Sequence, residues 1–275
     1  MSCDFSMNPF TIVLITVLVL VLQSLSTFGD EQLLVHGYYR ETCPMAEQIV
    51  RYNLQFAVLK NPRMAASLLR LHFHDCFVMR GGPCWEVYLG RKDSLKASFD
   101  GANQLIPAPN SSLETLISNF KQHGLDIGDL VALSGSHTMG KAKCSSFRQQ
   151  IHDASAEEEQ YDKYERYTTF RRILRSICPR SGKDNRLAPL DFQTPARFDN
   201  NYFINILEGR GLLGSDNVLV KEDHEGEIRK QVWAYASNQE LFFASFANSM
   251  LRMGNINVLY GNEGEIRRNC RFVNT

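Results

Sequence analysis

Four short stretches carry the residues that could do chemistry. The densest is Arg70-Leu71-His72-Phe73-His74-Asp75-Cys76. On a helix Arg70 and His74 are four residues apart and share a face, while His72 points elsewhere. An arginine and a histidine side by side, with Phe73 between them, suit acid–base work next to a charge stabiliser. Three other readings stay open for this run. His72, His74, Asp75 and Cys76 are metal-ligand types, although on one helix they do not converge. Cys76 beside a histidine is a nucleophile pair without a third, orienting residue. A histidine satisfied inside a core would also account for it. In the second stretch, Leu133-Ser134-Gly135-Ser136-His137-Thr138-Met139-Gly140, a histidine sits at a helix end between glycines that leave room for a flat ligand. The third, Asp191-Phe192-Gln193-Thr194-Pro195-Ala196-Arg197-Phe198-Asp199, offers hard oxygens at loop spacing, suited to Ca²⁺ or to a plain polar turn. In the fourth, Gly211 to Asp216, an aspartate follows an apolar turn.

Helices must position these groups. Ala46, Ile49, Val50, Leu54, Ala57 and Val58 recur at helical spacing. Asn61-Pro62 reads as an N-cap followed by proline at the first helical position, opening a segment 62–77. Ser111 with Glu114, and Ser237 with Glu240, read as capping boxes. Gly124 and Gly254 read as stops for the helices they open, and Asp126 opens a short helix through Leu130 and Leu133. Strand signals are weak and short. The segment 153–165 is charged and reads as a solvated surface. The chain is expected to be mainly α.

Composition narrows the function classes. Thirty Lys+Arg balance 30 Asp+Glu in 275 residues, and 44% of the chain is hydrophobic. Disorder needs low hydrophobicity and high net charge, so it is not expected. With no excess of cations to neutralise phosphates, nucleic acid is not an expected partner. Length alone allows two domains or one large one.

The apolar run Phe10 to Leu22 is shorter than a bilayer span but fits the core of a secretory signal. Thr27-Phe28-Gly29 offers a cleavage point, although Asp4 precedes the run and no Lys or Arg occurs before Arg40. Residues 1–29 are expected to be a signal peptide, leaving no membrane span in 30–275. Six cysteines remain after cleavage: Cys43, Cys76, Cys84, Cys144, Cys178 and Cys270. An even number in an exported chain suggests disulfides, but counting cannot pair them. No CxxC occurs. Asn110-Ser111-Ser112 is a glycosylation sequon.

Taken together, the stretches resemble the plant secretory (class III) haem peroxidases, in order and in wording. The resemblance rests on YYRETCPMAEQIVR (38–51), LLRLHFHDCFV (68–78), GGPCWEVYLGRKDS (81–94), LSGSHTMG (133–140), LDFQTPARFDNNYF (190–203), GLLGSD (211–216) and FANSMLRMGNINVLYGNEGEIRRNCRFVN (246–274). It covers nearly all of 31–275. It implies a helical fold with haem b between a distal and a proximal half, over one domain 30–275. His137 would then be the proximal iron ligand and Asp216 the acceptor of its other N–H. His74 would be the distal base, Arg70 the stabiliser of charge on the leaving oxygen, and Phe73 a wall of the pocket. Arg63 and Ser67 match positions near the haem propionates, and Pro107 the donor-binding edge. Thr138, Asp191, Thr194, Arg197 (through its carbonyl) and Asp199 match a proximal Ca²⁺ site, and Cys144 with Cys178 a disulfide. The implied reaction takes electrons one at a time from small phenolic donors to hydrogen peroxide. A secreted monomer, in the extracellular space, cell wall or vacuole, is implied.

The sequence departs from the family after Val78, where FVMR runs straight into GGPCW. His74 and His137 are 63 residues apart, and a full-length member would have on the order of 65 more between them. The distal half is therefore expected to be incomplete between about 79 and 81. Of the distal Ca²⁺ site only Asp75 and the Val78 carbonyl remain, too few for a six-to-eight-coordinate ion. Cys43, Cys76 and Cys270 lose their family partners. A chain of this lineage that folds poorly or does not turn over peroxide is the alternative expectation.

Overall fold

The computed structural model describes residues 34–61, 64, 83, 85–152 and 165–275. The signal segment 1–29, the charged stretch 153–164 and, apart from the helical Met64, the expected helix over 62–77 lie outside the described residues. Within them the fold is mainly α, with ten α-helices and one sheet of two three-residue strands. They divide into two compact units.

The smaller unit gathers described residues from Met1–Tyr38, Tyr88–Leu95 and Leu259–Thr275. Single bridges hold it: Val35 to Leu89, Asp93 to Glu265, and Asn269 to Phe272. Gly90 has φ +108°, and a side chain there would meet the Tyr38 ring at 2.9 Å, so the turn needs glycine.

The larger unit opens with α1 (Ala46–Lys60). Asn61 closes this helix as its C-cap. Leu54 and Val58, one turn apart, face the main core. On the other side Ile49, Tyr52, Phe56 and Leu59 are 53, 70, 62 and 72% exposed. That second apolar stripe has nothing to bury against among the described residues.

A short α2 (Phe99–Leu105) leads to α3 (Leu113–Gln122). Its cap is Ser112, whose Oγ accepts from the Thr115 amide, one residue later than the expected Ser111. Ser111 instead donates its amide to the Ala108 carbonyl and ends the preceding turn. Gly124, at φ +74°, stops the helix as expected.

The next helix, α4 (Ile127–Ser134), is buried over Asp129, Leu130, Val131, Ala132 and Leu133. Apolar on most sides, it can only be a core helix. Asp126 caps it, accepting from the Asp129 amide at 2.9 Å, and the Asp129 carboxylate accepts the Asp126 amide in return. A 3-10 turn, Gly135–Thr138, continues from α4 and carries His137.

Beyond it, β1 (Lys141–Lys143) pairs antiparallel with β2 (Leu187–Pro189). Between the strands lie α5 (Arg148–His152) and α6 (Glu165–Ile177). Cys144 and Cys178 form a disulfide, as the resemblance implies. It sits fully buried in a second core with Phe147, Ile151, Phe170, Leu174, Leu212 and Leu213. Cys43 and Cys270 are exposed free thiols, whereas Cys76 and Cys84 lie outside the described residues.

Four helices finish the unit: α7 (Asn201–Leu207), α8 (Gly214–Lys221), α9 (Glu227–Ser237) and α10 (Gln239–Gly254). Asn238, not Ser237, caps α10, accepting from the Leu241 amide at 3.0 Å. Ser237 bonds back to the Trp233 carbonyl within α9. Phe242, Phe246 and Met250, at helical spacing, bury the inner face of α10. Phe198 stacks on Phe242 with centroids 5.6 Å apart, and Phe203 meets Phe242 edge-on at 4.8 Å. No described helix is long and apolar enough to cross a membrane.

Polar bonds tie α10 to α4. Ser249 donates to Asp129 at 2.8 Å, and Arg252 reaches both Asp126 and Asp129 at 2.6 Å. The Arg252 guanidinium holds the Asp126 carboxyl below its ordinary 3.8. Because its pKa is lower folded than unfolded, Asp126 stabilises the fold above pH about 4, and loses that contribution as pH falls through the folded value. Asn is as good an N-cap as Asp, so Asp126→Asn removes the charge and keeps the cap. Urea unfolding across the acid range checks the outcome: the variant is less stable than the parent at pH 7, and the difference begins to narrow only once pH falls below the ordinary 3.8.

Candidate functional site

Packing first explains the backbone around His137. A side chain at Gly135 would meet the rings of Phe242 at 2.5 Å and Phe203 at 2.8 Å. The space expected at this glycine for a flat ligand is therefore filled by aromatic core, and the glycine lets the 3-10 turn lie against α7 and α10. His137 leaves this turn with its side chain about one-third exposed.

Its Nδ1 lies 2.7 Å from Oδ1 of Asp216, 79 residues away in sequence and buried. A carboxylate can only accept, so Nδ1 carries a proton, and in the neutral ring Nε2 then holds the lone pair. Such a pairing makes the imidazole a more basic nitrogen donor through Nε2. Asp216 is fixed in turn: Oδ2 accepts the Leu213 amide at 3.1 Å at the start of α8, and Oδ1 also accepts the Tyr202 hydroxyl at 3.2 Å. Burial, with the Asp216 charge next to it, pushes the Tyr202 hydroxyl well above its ordinary value of 10. The loop with Pro107, which is half-buried, is tied to the same place, because the Pro109 carbonyl accepts from the Ser215 amide at 3.0 Å.

Immediately after His137, Thr138 enters a cluster of oxygens. Its Oγ1 lies 3.4 Å from Asp191 Oδ2 and 3.3 Å from Asp199 Oδ1. Thr194 Oγ1 lies 3.2 and 3.0 Å from the same two oxygens. Asp191, Asp199 and Thr138 are at most 3% exposed. Two hydroxyls have two protons to share among the facing oxygens of two buried carboxylates. The other carboxylate valences are met by amides: Gln193, Thr194 and Asn205 on Asp191, and Asn201 on Asp199. Arg197 reaches Asp199 at 3.7 Å from a side chain that is 65% exposed. Its own amide bonds the Thr194 carbonyl at 3.0 Å. Ligands spaced by 70–90° about an ion at about 2.4 Å stand about 2.8–3.4 Å apart, the spacing of these four oxygens. The set holds only two carboxylates. Among the described residues no group of three or more His, Cys, Asp or Glu is gathered for a metal.

The third stretch, the fourth and His137 of the second thus come together. Arg63, Ser67, Arg70, Phe73, His74, Asp75 and Val78 lie outside the described residues. Tyr202 and Asn205 are the site residues that motif reading passed over. Their signal was polar residues among apolar ones, Tyr202 three and Asn205 six after Asp199, on the helix that follows.

A part-buried Asp–His couple thus stands at the end of a core helix, beside paired carboxylates in a mainly α fold. Comparison with known proteins names the class. The peroxidase family model matches residues 78–238, more than half the chain. Peroxidase 20 of Arabidopsis thaliana is 53% identical over 315 residues, covering 91% of this chain and 93% of the relative. Peroxidase 15 of Arabidopsis thaliana is 40% identical over 310 residues, with 90% of each covered. Peroxidase 4 of Vitis vinifera is 37% identical over 333 residues, covering 97 and 99%. The chain belongs to the plant secretory (class III) haem peroxidases, which are oxidoreductases.

The alignments also measure a deficit. The first runs over 315 positions yet uses 91% of 275 residues, about 250, so about 65 positions of the relative have no residue here. The grape relative leaves a gap of similar size, 333 positions against 97% of 275 residues, about 267. The family match begins at residue 78.

Asp216→Ala would leave the Leu213 amide, the Tyr202 hydroxyl and His137 Nδ1 without their acceptor. The expected loss is on the order of 3 kcal/mol or more, read as a drop in the urea midpoint with an unchanged slope.

Proposed function

We propose that this chain is an exported peroxidase that passes single electrons from small phenolic donors to hydrogen peroxide, with haem b held by His137. The observation that carries this reading is the 2.7 Å His137–Asp216 couple, which places the Nδ1 proton on the carboxylate side. His137, made more basic by Asp216, would hold the haem iron, and the cofactor when bound would supply the redox chemistry. The protein's part is to orient and to move protons. Asp216 holds the His137 tautomer. By resemblance His74 takes a proton from the peroxide and returns it to the leaving oxygen, Arg70 steadies that oxygen's charge, and Phe73 bounds the space. Arg63 and Ser67 would meet the propionates, and Pro107, on the loop tied to α8, the donor. The layout that goes with this reading is a signal over 1–29, a single domain over 30–275, and a monomer outside the cell.

The oxygens of Thr138, Asp191, Thr194 and Asp199, with the Arg197 carbonyl, would hold the proximal Ca²⁺. Their mutual spacing supports that reading. The distal Ca²⁺ site would be lost, with only Asp75 and Val78 remaining from it.

A second reading has its own support. A gap of about 65 alignment positions, the exposed stripe on α1, and free thiols at Cys43 and Cys270 favour an isoform that has lost part of its distal half. We place the break between about 79 and 81. Each lost disulfide costs roughly 2–5 kcal/mol of a total near 5–15 kcal/mol. On that reading peroxide turnover fails before haem binding does.

His137→Ala is expected to abolish stable haem incorporation, seen as loss of the Soret band after reconstitution. A normal haem spectrum in this variant would show that His137 is not the ligand.

Chelation should lower stability by about 2.7 kcal/mol relative to Ca²⁺ at a hundredfold excess over Kd. Asp199→Asn should remove most of that dependence, as calorimetry with and without chelator would show.

Restoring the relatives' extra segment after Val78 separates the two readings. If the second holds, stopped-flow haem oxidation by peroxide speeds up by about a hundredfold or more, because a base displaced by about 1 Å costs that much. Equal rates in the short and restored chains would leave the first reading standing.

A further inference from the structure

One oxygen of Asp216 serves two donors. Oδ1 accepts from His137 Nδ1 at 2.7 Å and from the Tyr202 hydroxyl at 3.2 Å. The other oxygen is committed to the Leu213 amide. The Tyr202 ring stands edge-on to the imidazole, with centroids 6.2 Å apart and planes at 78°. Tyr202 is 2% exposed, so water does not compete for its hydroxyl. Its position is fixed from the ion-site side as well, because Asp199 three residues earlier accepts the Asn201 amide at the start of α7.

A carboxylate oxygen that accepts two hydrogen bonds has less charge to give to each. The weaker donor therefore acts on the stronger pair. We propose that Tyr202 is a positioning residue whose hydroxyl, by sharing Oδ1, limits how far Asp216 polarises the His137 imidazole. The couple then has three members, and the strength of its electron push is set by the tyrosine. The hydroxyl keeps its proton throughout the working range, since burial and the Asp216 charge both resist its loss. The competition lies within the protein alone. Its consequence at iron rests on the reading of His137 as the axial ligand.

Tyr202→Phe in the full chain, with ¹⁵N-labelled histidine, tests it without haem. The Hδ1 resonance of His137 should move downfield, because Oδ1 then serves one donor. Replacing Tyr202 by 3-fluorotyrosine keeps the shape and gives a stronger donor, so the same resonance should move upfield. This second variant decides the matter if the phenylalanine variant folds poorly. A resonance that stays put in the substituted chain, or moves the same way in both, overturns the proposal. In the Asp216→Ala background, where no shared acceptor remains, the tyrosine change should have no effect, and an equal shift there also overturns it.

With haem bound, Tyr202→Phe should lower the ferrous/ferric ratio at a fixed potential about fivefold, the factor set by a hydrogen bond of ordinary net strength. The iron–histidine stretching frequency should rise with it. If the proton resonance shifts as expected while both iron signals stay fixed, the hydrogen-bond competition stands. What fails then is the reading of His137 as the ligand, which the His137→Ala haem spectrum reports separately.

Discussion

Two carboxylates, Asp191 and Asp199, are buried facing one another and share the same two threonine hydroxyls. Placing two such groups out of water is costly unless charge of the opposite sign or enough donors meet them. Amides from Gln193, Thr194, Asn201 and Asn205 satisfy the outer lone pairs. The facing oxygens, Asp191 Oδ2 and Asp199 Oδ1, share the hydroxyls of Thr138 and Thr194, and Asp199 Oδ1 accepts the Asn201 amide as well. Since Thr138 is bonded in sequence to His137, whatever satisfies these oxygens also fixes the histidine's backbone. Asp199, at the head of α7, ties Tyr202 to the same point. The Asp–His couple and the oxygen cluster are thus one mechanical object, joined at residues 137–138 on one side and 199–202 on the other.

The remaining structure holds that object in place by apolar means. Gly135 lets the turn settle onto Phe203 and Phe242. On the other flank the buried Cys144–Cys178 disulfide anchors the second core, in which Leu212 and Leu213 lead into Asp216. A cross-link closing a loop of this length restricts the unfolded chain by about 3 kcal/mol or more. Burial of five fully enclosed phenylalanines, Phe147, Phe198, Phe203, Phe242 and Phe246, adds more. Neither force has direction, so the hydrogen bonds of Asp216 and Asp129 supply the register in which α4, α7, α8 and α10 meet.

Much of this was legible in the residues, and the exceptions are informative. Helix existence followed from apolar spacing, as in α1, α4 and α10. The caps at Ser112 and Asn238 were each displaced by one residue from the reading, because Ser111 and Ser237 found nearer carbonyls. Serine hydroxyls and amides are short-range competitors, and sequence cannot say which carbonyl wins. The His137–Asp216 pairing spans 79 residues, so only the family resemblance, and no local periodicity, could foretell it. Gly135 was read as room for a ligand, but the partner of its open face is aromatic core. Tyr202 was invisible because a tyrosine in an apolar helix looks like any core aromatic until its hydroxyl has a named acceptor.

The asymmetry between the two halves of the lineage's site has a physical origin. His137, Thr138, Asp191, Thr194, Asp199, Tyr202 and Asp216 all come from the stretch 137–216, and the disulfide lies inside it. The described hydrogen bonds of these residues link parts of that stretch to one another, with α10 as support. The residues expected on the distal side come from 63–78, next to the place where about 65 positions of the relatives have no counterpart. The helix before them, α1, turns Leu54 and Val58 inward and leaves Ile49, Tyr52, Phe56 and Leu59 in water. A second apolar stripe at helical spacing is costly to leave exposed. Cys43, just before α1, is a free thiol. Both features sit beside the join rather than near His137. On the proposed reading the half that would hold the cofactor is the one whose described side-chain bonds run within residues 137–216.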